Sequence, residues 1–254
     1  MRYVFLSMLL FRFLSAELIE IHNIDEFSKY AAEGTLLVFD IDNTIIEPTQ
    51  TLGSDQWFHH QIDQYVAKGY PAQEALEIAL AEWMAIQNIT KVQLVEPAVA
   101  GLIAKYQQMG WPLIGLTTRG LGMATRTIDQ LQTLGIDLNR SAPIKEDQYF
   151  ENKGGVLFRG GILFTAGTNK GSAFFKLMDK VGYEVKKVLF VNDKATHLRE
   201  LEKTCKKREV SFTGLRYGFL DHKIKNMRKD LAKLQLEHFG KLLSDHDAEK
   251  MLEK

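Results

Sequence analysis

The sequence predicts an α/β fold with a Rossmann-like, doubly wound parallel sheet. Strand and helix signals alternate from residue 17 onward, and several short apolar runs end in polar residues or glycine. With 254 residues, the chain is long enough for one large domain with a smaller insertion. Its 32 basic and 32 acidic residues cancel, so no overall field favours nucleic acid as a binding partner.

The first residues, MRYVFLSMLLFRFLSA, have the order of a secretory signal peptide. An early positive charge precedes an apolar run, which ends in the small residues Ser15 and Ala16. The run is too short to cross a bilayer. We therefore expect cleavage after Ala16 and export to the periplasm or the medium, with no membrane span left. The alternative is a cytoplasmic protein whose hydrophobic N-terminal helix stays attached.

The elements of the first half follow in order. Residues 36–39 form a buried strand, and helices are predicted at 71–88 and at 97–109, where a proline opens the second helix. Residues 112–116 form another buried strand, and a helix at 122–134 ends at Gly135. The run VLFRGGILFTAG then predicts a β-hairpin around Gly160 and Gly161.

In the second half, a helix at 169–182 ends at Gly182, residues 186–203 contain a strand that feeds a helix, and residues 209–217 form a last strand. Residues 221–254 form a helical extension that either packs on the domain or serves as an arm for a protein partner. The predicted layout is a core at 17–46 and 112–220, a helical cap insertion at 47–111 and a hairpin flap at 154–167.

Polar side chains cluster where the predicted strands end. Asp40 and Asp42 follow the strand in LLVFDIDNTIIEP, Thr117 follows the second buried strand, and Asp193 follows VLFV. Lys170 opens the helix before that last strand. Because ligands of open α/β sheets bind at the carboxyl ends of the strands, we expect these side chains to meet. Hard oxygen ligands, hydroxyls and an ammonium group suit a divalent cation with a phosphoryl group.

The same residues carry a resemblance to a known superfamily. VFDIDNTI resembles the first motif, DxDx[TV], of the haloacid dehalogenase (HAD) superfamily. Thr117, Lys170 and Asp193 match the second, third and fourth motifs in the right order. The resemblance covers roughly residues 36–215. In detail, the stretch GILFT…NKG resembles a family of bacterial HAD-like proteins that often carry signal peptides.

The resemblance implies a magnesium-dependent phosphatase. Asp40 would attack phosphorus and form an aspartyl-phosphate, and Asp42 would protonate the leaving group and then activate water. Asp42 is predicted to share the side of the strand on which Asp40 lies. Mg²⁺ would be held by Asp40, the Asp42 backbone carbonyl and Asp193, while Thr117 and Lys170 would bind phosphoryl oxygens. The substrate would be a small phosphorylated metabolite or nucleotide.

Several residues near these motifs have two interpretations. Thr118 either contacts substrate or caps the next helix, and Arg119 either binds a substrate anion or is solvated. In the fourth motif Asn192 precedes Asp193, and His197 stands where a second acid often falls, so metal affinity is in question. Candidates for contact with the leaving group are Trp57, Phe58, Phe158 and Arg159.

A second function of another class is also compatible with the sequence. The altered fourth motif would suit a catalytically weak HAD-fold binding or effector protein, exported and acting through a protein partner. Robust turnover of a small phosphoester distinguishes the two functions.

Overall fold

The computed structural model describes residues 16–238 and 243–253. The predicted signal segment before residue 16 lies outside the described residues. Within the described part, the strands are Ala16–Ile21 (β1), Leu36–Phe39 (β2), Ile46–Pro48 (β3), Val92–Leu94 (β4), Leu113–Thr117 (β5), Gln148–Glu151 (β6), Gly155–Arg159 (β7), Ile162–Phe164 (β8), Lys187–Asn192 (β9) and Ser211–Tyr217 (β10). The helices are Asp55–Ala67 (α1), Ala72–Gln87 (α2), Ala98–Gln108 (α3), Ala124–Gln132 (α4), Lys170–Val181 (α5), Ala195–Lys207 (α6), Asp221–Lys225 (α7), Lys229–Glu237 (α8) and Asp245–Leu252 (α9).

The described residues form an eight-stranded sheet in the order β1-β10-β9-β2-β5-β8-β7-β6. The pairs from β1 to β8 are parallel, and β7 and β6 add antiparallel strands at one edge. The predicted α/β fold with a mostly parallel sheet is confirmed. The edge strand β1 was not predicted. It pairs in parallel with β10 from Ala16 to Ile21, so cleavage after Ala16 would remove only its first residue.

Both faces of the sheet are covered, as the apolar runs predict. Strand β2 lies between β9 and β5, and all four of its residues are buried. Its Leu37 and Phe39 belong to one hydrophobic cluster, with Val99 of α3, while Val38 belongs to the cluster on the other side, with Phe174 of α5. Strands buried on both faces are therefore apolar throughout, because successive side chains point to opposite sides.

The predicted hairpin forms at β7 and β8, and its turn is made by two glycines. Gly160 and Gly161 have φ values of 59° and 77°, in the left-handed region that glycine adopts without strain. Strand β8 pairs in parallel with β5, so the hairpin extends the main sheet. This arrangement brings the loop after β8 next to the end of β5, where Thr165 donates its backbone N–H to the Thr117 carbonyl oxygen over 3.0 Å.

Helices α1 and α2 pack on one another above the carboxyl edge of the sheet, and the C-terminal helices support them. A third hydrophobic cluster contains Trp57 of α1, Trp83 of α2 and Ala232 of α8. The Gln235 side chain accepts a hydrogen bond from the backbone N–H of Leu52 over 2.9 Å. Among the described residues, none of the helices combines the length and apolarity that crossing a bilayer requires.

Candidate active site

A buried ion pair between Asp40 and Lys170 lies at the centre of the site. Asp40 directly follows β2, and its backbone N–H donates to the Val191 carbonyl oxygen over 3.0 Å. The Lys170 Nζ lies 2.6 Å from Asp40 Oδ1, with Asp40 5% exposed and Lys170 0% exposed. Burial raises the pKa of Asp40, and the Lys170 charge only partly offsets that effect. The ionised form of Asp40 therefore depends on the positive charge of Lys170.

Lys170 is fixed by the start of α5. Asn169 precedes it as the N-cap residue and accepts a hydrogen bond from the Ser172 backbone N–H. Glu200 of α6 accepts a hydrogen bond from the backbone N–H of Lys170 over 2.8 Å. Glu200, the next acid after Asp193 in the sequence, therefore holds the beginning of this helix in place.

Asp193 follows β9 and is buried beside the turn after Asp40. Its Oδ2 accepts a hydrogen bond from Asn43 Nδ2 over 3.3 Å, and its backbone N–H donates to Thr44 Oγ1 over 3.3 Å. Burial, followed by the negative charges of Asp40 and Asp55, raises the pKa of Asp193 to about 7. The negative charges of the acidic groups at this site are therefore not fully balanced by the neighbouring cations.

Strand β2 ends at Phe39, so Asp42 lies in the turn beyond it. The prediction that strand alternation places Asp42 on the same side as Asp40 therefore does not apply. Arg119 holds the Asp42 carboxylate with two hydrogen bonds, from Nη2 to Oδ1 over 2.8 Å and from Nε to Oδ2 over 2.9 Å. Arg119 is only 3% exposed, and its Nη1 donates to Thr127 and Gln130. The interpretation of Arg119 as a solvated residue is wrong.

The two threonines after β5 differ in their surroundings. Thr117 is buried, and its hydroxyl oxygen accepts a hydrogen bond from the Arg119 backbone N–H over 3.1 Å. Its hydroxyl hydrogen has no acceptor among the residues that the structure describes and can be donated to a ligand. Thr118 is exposed and caps no described helix, because Gly120 and Met123 occupy the positions before the following 3-10 turn and α4. The capping interpretation of Thr118 is therefore wrong.

Of the four aromatic and basic candidates for leaving-group contact, the structure places one beside the site. Phe58 lines a cavity that also reaches Asp42 and Arg119. Trp57 packs into the cluster beneath α1 and α2, and Phe158 lies in the core of the sheet. Arg159 forms an ion pair with Asp147 over 2.7 Å, and both side chains are about half exposed.

A contact between α1 and the fourth motif was not predicted. Lys194, next to Asp193, places its Nζ 2.7 Å from Asp55 Oδ2 and 3.1 Å from His59 Nε2. Burial lowers the pKa of Lys194, but the charge and hydrogen bond of Asp55 outweigh this effect and raise it overall. The first turn of α1 is thus tied to the end of β9.

Residues 17–249 match the family model described as "Protein of unknown function (DUF2608)". The chain belongs to the DUF2608 family.

The DUF2608 chain is similar to proteins from several bacteria. A Chlamydia pneumoniae protein named "Putative outer membrane protein" is 26% identical over 237 residues, which cover 93% of this chain and 89% of the relative. Among solved structures, a "haloacid dehalogenase-like family" hydrolase from Streptococcus pneumoniae has a TM-score of 0.43 at 13% identity, covering 71% of this chain and 93% of that one. A "Putative haloacid dehalogenase-like hydrolase" from Bacteroides fragilis has a TM-score of 0.48 at 14% identity, covering 72% and 87%. Because both TM-scores are below 0.5, the fold assignment of this DUF2608 chain depends on its own strand order.

The acidic groups of this DUF2608 chain are of the type that binds a magnesium ion. Among the described residues, no three His, Cys, Asp or Glu side chains form a group that could hold a metal by themselves. Mg²⁺, however, usually takes one or two carboxylates and fills its other positions with water and substrate phosphate. Asp40 and Asp193 could supply the carboxylates and Asp42 a backbone carbonyl. A cation would also offset the repulsion that helps to raise the pKa of Asp193.

Proposed function

We propose that the chain is a Mg²⁺-dependent phosphomonoester hydrolase of the HAD type, in which Asp40 is the nucleophile. The observation that carries the proposal is the buried pair of Asp40 Oδ1 and Lys170 Nζ at 2.6 Å, next to the buried Asp193. A carboxylate held beside an ammonium group and a second acid is the arrangement expected for attack on a phosphoryl group. The charges of Lys170 and Asp193 both act on the Asp40 carboxylate, which supports the proposal.

In the first step, an Asp40 carboxylate oxygen attacks phosphorus, and the bond between phosphorus and the leaving-group oxygen breaks. Asp42, in its protonated form, donates a proton to that oxygen and becomes a carboxylate. Arg119 occupies two of the roughly four lone-pair positions of the Asp42 carboxylate. The remaining positions can carry the transferred proton, so the arginine orients Asp42 and leaves it accessible.

In the second step, the Asp42 carboxylate takes a proton from water while the water oxygen attacks the aspartyl-phosphate. Inorganic phosphate leaves, and Asp40 and Asp42 return to their starting states. Lys170 and the Thr117 hydroxyl would donate hydrogen bonds to the phosphoryl oxygens throughout. Mg²⁺, held by Asp40, Asp193 and the Asp42 carbonyl, would supply positive charge against the phosphoryl oxygens.

We assign residues 47–111 to a cap insertion, whose α1–α2 pair faces the site. The ion pair between Lys194 and Asp55 connects the α1–α2 helix pair to the core at the fourth motif. Closing over the site would exclude water from the phosphoryl group. The loop that follows the β7–β8 hairpin contributes to the opposite rim.

We also infer an envelope location. The N-terminal residues have the order of a signal peptide, and a relative at 26% identity is named "Putative outer membrane protein". Cell fractionation with a mass measurement of the recovered protein tests this inference. Protein that is found in the cytoplasm and retains Met1 would contradict it.

The function is tested by phosphate release from a panel of phosphomonoesters, in Mg²⁺ and in EDTA, alongside Asp40→Asn. We expect turnover that EDTA removes and that the variant lacks, while circular dichroism shows the variant to be folded. A fully active Asp40→Asn variant would overturn the mechanism. A folded wild-type protein with no turnover on any ester would instead support the alternative binding or effector protein, and affinity capture with the C-terminal helices intact would then identify its partner.

A further inference from the structure

A cavity of about 240 Å³ lies between the α1–α2 pair and the carboxyl edge of the sheet. Its floor contains Asp42, Arg119 and Thr118, and the loop after β8 contributes Ala166 and Gly167. The proposed function makes Asp42 the proton donor to the leaving group. The cavity therefore lies where the organic part of a substrate would sit.

The wall of this cavity opposite the sheet is apolar. Four of its residues, Leu76, Leu80, Trp83 and Met84, come from α2, and Phe58 comes from α1. Along α2, Leu76, Leu80 and Trp83 are separated by four and three positions, and Met84 follows Trp83 directly. The four side chains therefore lie on one side of the helix. Leu76 and Leu80 are 37% and 40% exposed. An apolar group in the cavity would remove apolar surface of these residues from water, which is favourable.

The charged groups at the cavity already have partners. Arg119 is the one lysine or arginine among the described residues that line it, and its guanidinium is engaged by Asp42, Thr127 and Gln130. Asp55 is paired with Lys194. A second anionic group on a substrate would therefore meet a carboxylate and find no free cation among the described residues of the cavity. Burying such a group without a partner costs free energy.

We propose that this cavity binds an apolar or aromatic organic group of a phosphomonoester and rejects organic groups that carry a further negative charge. The inference rests on the proposed function. It narrows the substrate class from small phosphorylated metabolites and nucleotides in general to phosphomonoesters with a small apolar or aromatic group. The volume is below the roughly 300–1,000 Å³ of pockets for drug-sized ligands, so it suits a small group such as one phenyl ring on a short alkyl chain.

The preference can be measured without turnover. The full-length Asp40→Asn variant in Mg²⁺ is titrated by calorimetry with 2-phenylethyl phosphate, glycerol 1-phosphate and 3-phosphoglycerate. We expect binding of the phenyl compound at least about tenfold tighter than that of glycerol 1-phosphate, because even one methylene changes selectivity by that order in an apolar pocket. 3-Phosphoglycerate, which carries an additional carboxylate, should bind more weakly than the other two compounds. Equal binding of the three, or no binding of any, would overturn the assignment.

The same esters then serve for kinetics with wild-type protein. The phenyl and glycerol compounds both release an alkyl alcohol, so their intrinsic reactivity is matched. We expect the preference to appear mainly in KM. Leu80→Asp should lower kcat/KM for 2-phenylethyl phosphate at least about tenfold more than kcat/KM for glycerol 1-phosphate. Val66→Asp, at an exposed position of α1 away from the cavity, is the control and should change neither.

The two proposals fail in different ways. Selective binding without turnover would leave the cavity assignment intact and overturn hydrolysis. Turnover that depends on Asp40 but treats the phenyl and glycerol esters alike would leave the phosphatase intact and overturn the apolar substrate class. An equal loss of both activities in Leu80→Asp, with unchanged circular dichroism, would also contradict the cavity assignment.

Discussion

The Arg119 guanidinium and the Asp42 carboxylate face each other through two hydrogen bonds of 2.8 and 2.9 Å. Arg119 is held in turn by the hydroxyl of Thr127 and the side-chain carbonyl of Gln130, over 2.9 and 2.7 Å. The planar guanidinium therefore has one orientation, and it imposes that orientation on Asp42. In the proposed mechanism, Arg119 is a positioning residue for the acid and base of the reaction.

Replacing Arg119 should therefore affect catalysis more than substrate binding. We expect Arg119→Lys to lower kcat by about 10²-fold with a smaller change in KM, because a lysine keeps the charge but cannot hold both carboxylate oxygens. Steady-state kinetics over a range of pH, at saturating Mg²⁺, measures the change. Gln130→Met is the control: it removes the hydrogen bond that Gln130 accepts from Arg119 and those that it donates to Gln87 and Thr90, but it leaves both bonds between Arg119 and Asp42, so we expect a loss of only a few fold. A wild-type kcat in Arg119→Lys would exclude the positioning role.

Removal of one partner from the buried Asp40–Lys170 pair should destabilise the protein strongly. Lys170→Met leaves a buried carboxylate without its cation, which costs about 3–5 kcal/mol. The loss should be larger at pH 8 than at pH 5, because burial raises the pKa of Asp40 and protonation relieves the unpaired charge. Urea unfolding in EDTA measures it.

The double variant Asp40→Asn/Lys170→Met is the control for that experiment. It removes both charges together, so it should be more stable than the sum of the two single substitutions predicts, by at least about 2 kcal/mol. Additive losses would show that the two groups do not interact as the 2.6 Å distance indicates.

His197 should make the protein less stable in mild acid. Burial, followed by the positive charges of Lys170, Lys194 and His59, lowers the pKa of His197 to about 3. The unfolded chain therefore binds a proton near pH 6.5 that the folded chain does not, and stability falls as the pH decreases from about 6.5 toward 3. Between pH 6 and pH 5, wild-type protein should lose about 1 kcal/mol more than His197→Gln. Equal losses in urea unfolding would contradict this prediction.

Local signals in the sequence predicted the parts of the site that local structure determines. The position of Lys170 at the start of α5 could be predicted because Asn169 and Gly182 cap the two ends of this helix. The partner of Arg119 could not be predicted, because Asp42 is 77 residues away and only the pairing of β2 with β5 brings the two together. The interpretation of Arg119 as a solvated residue was therefore wrong for a topological reason.

The two ends of the fold were also hard to predict, for different reasons. Strand β1 was missed because its residues follow an apolar run that has the order of a signal peptide, and its partner β10 is nearly two hundred residues away along the chain. The C-terminal residues were predicted as one helical stretch, but the described part contains α7, α8 and α9. A helical pattern alone does not show where the chain turns to pack against α1 and α2.

Two glycines with similar φ values, one in the hairpin turn and one in the loop after β8, offer a test of the fold. Gly161 and Gly167 have φ values of 77° and 72°. A Cβ on Gly161 would lie 2.5 Å from the Leu138 carbonyl carbon, which is backbone and cannot move aside, whereas a Cβ on Gly167 would meet nothing within 4 Å. Gly167→Ala should cost only the strain of a left-handed alanine, about 1–2 kcal/mol. Gly161→Ala adds a backbone clash, so its loss should exceed that of Gly167→Ala by at least about 2 kcal/mol in urea unfolding. Equal losses would mean that the turn can move away from Leu138, and that the pairing of β8 with β5 does not fix its position.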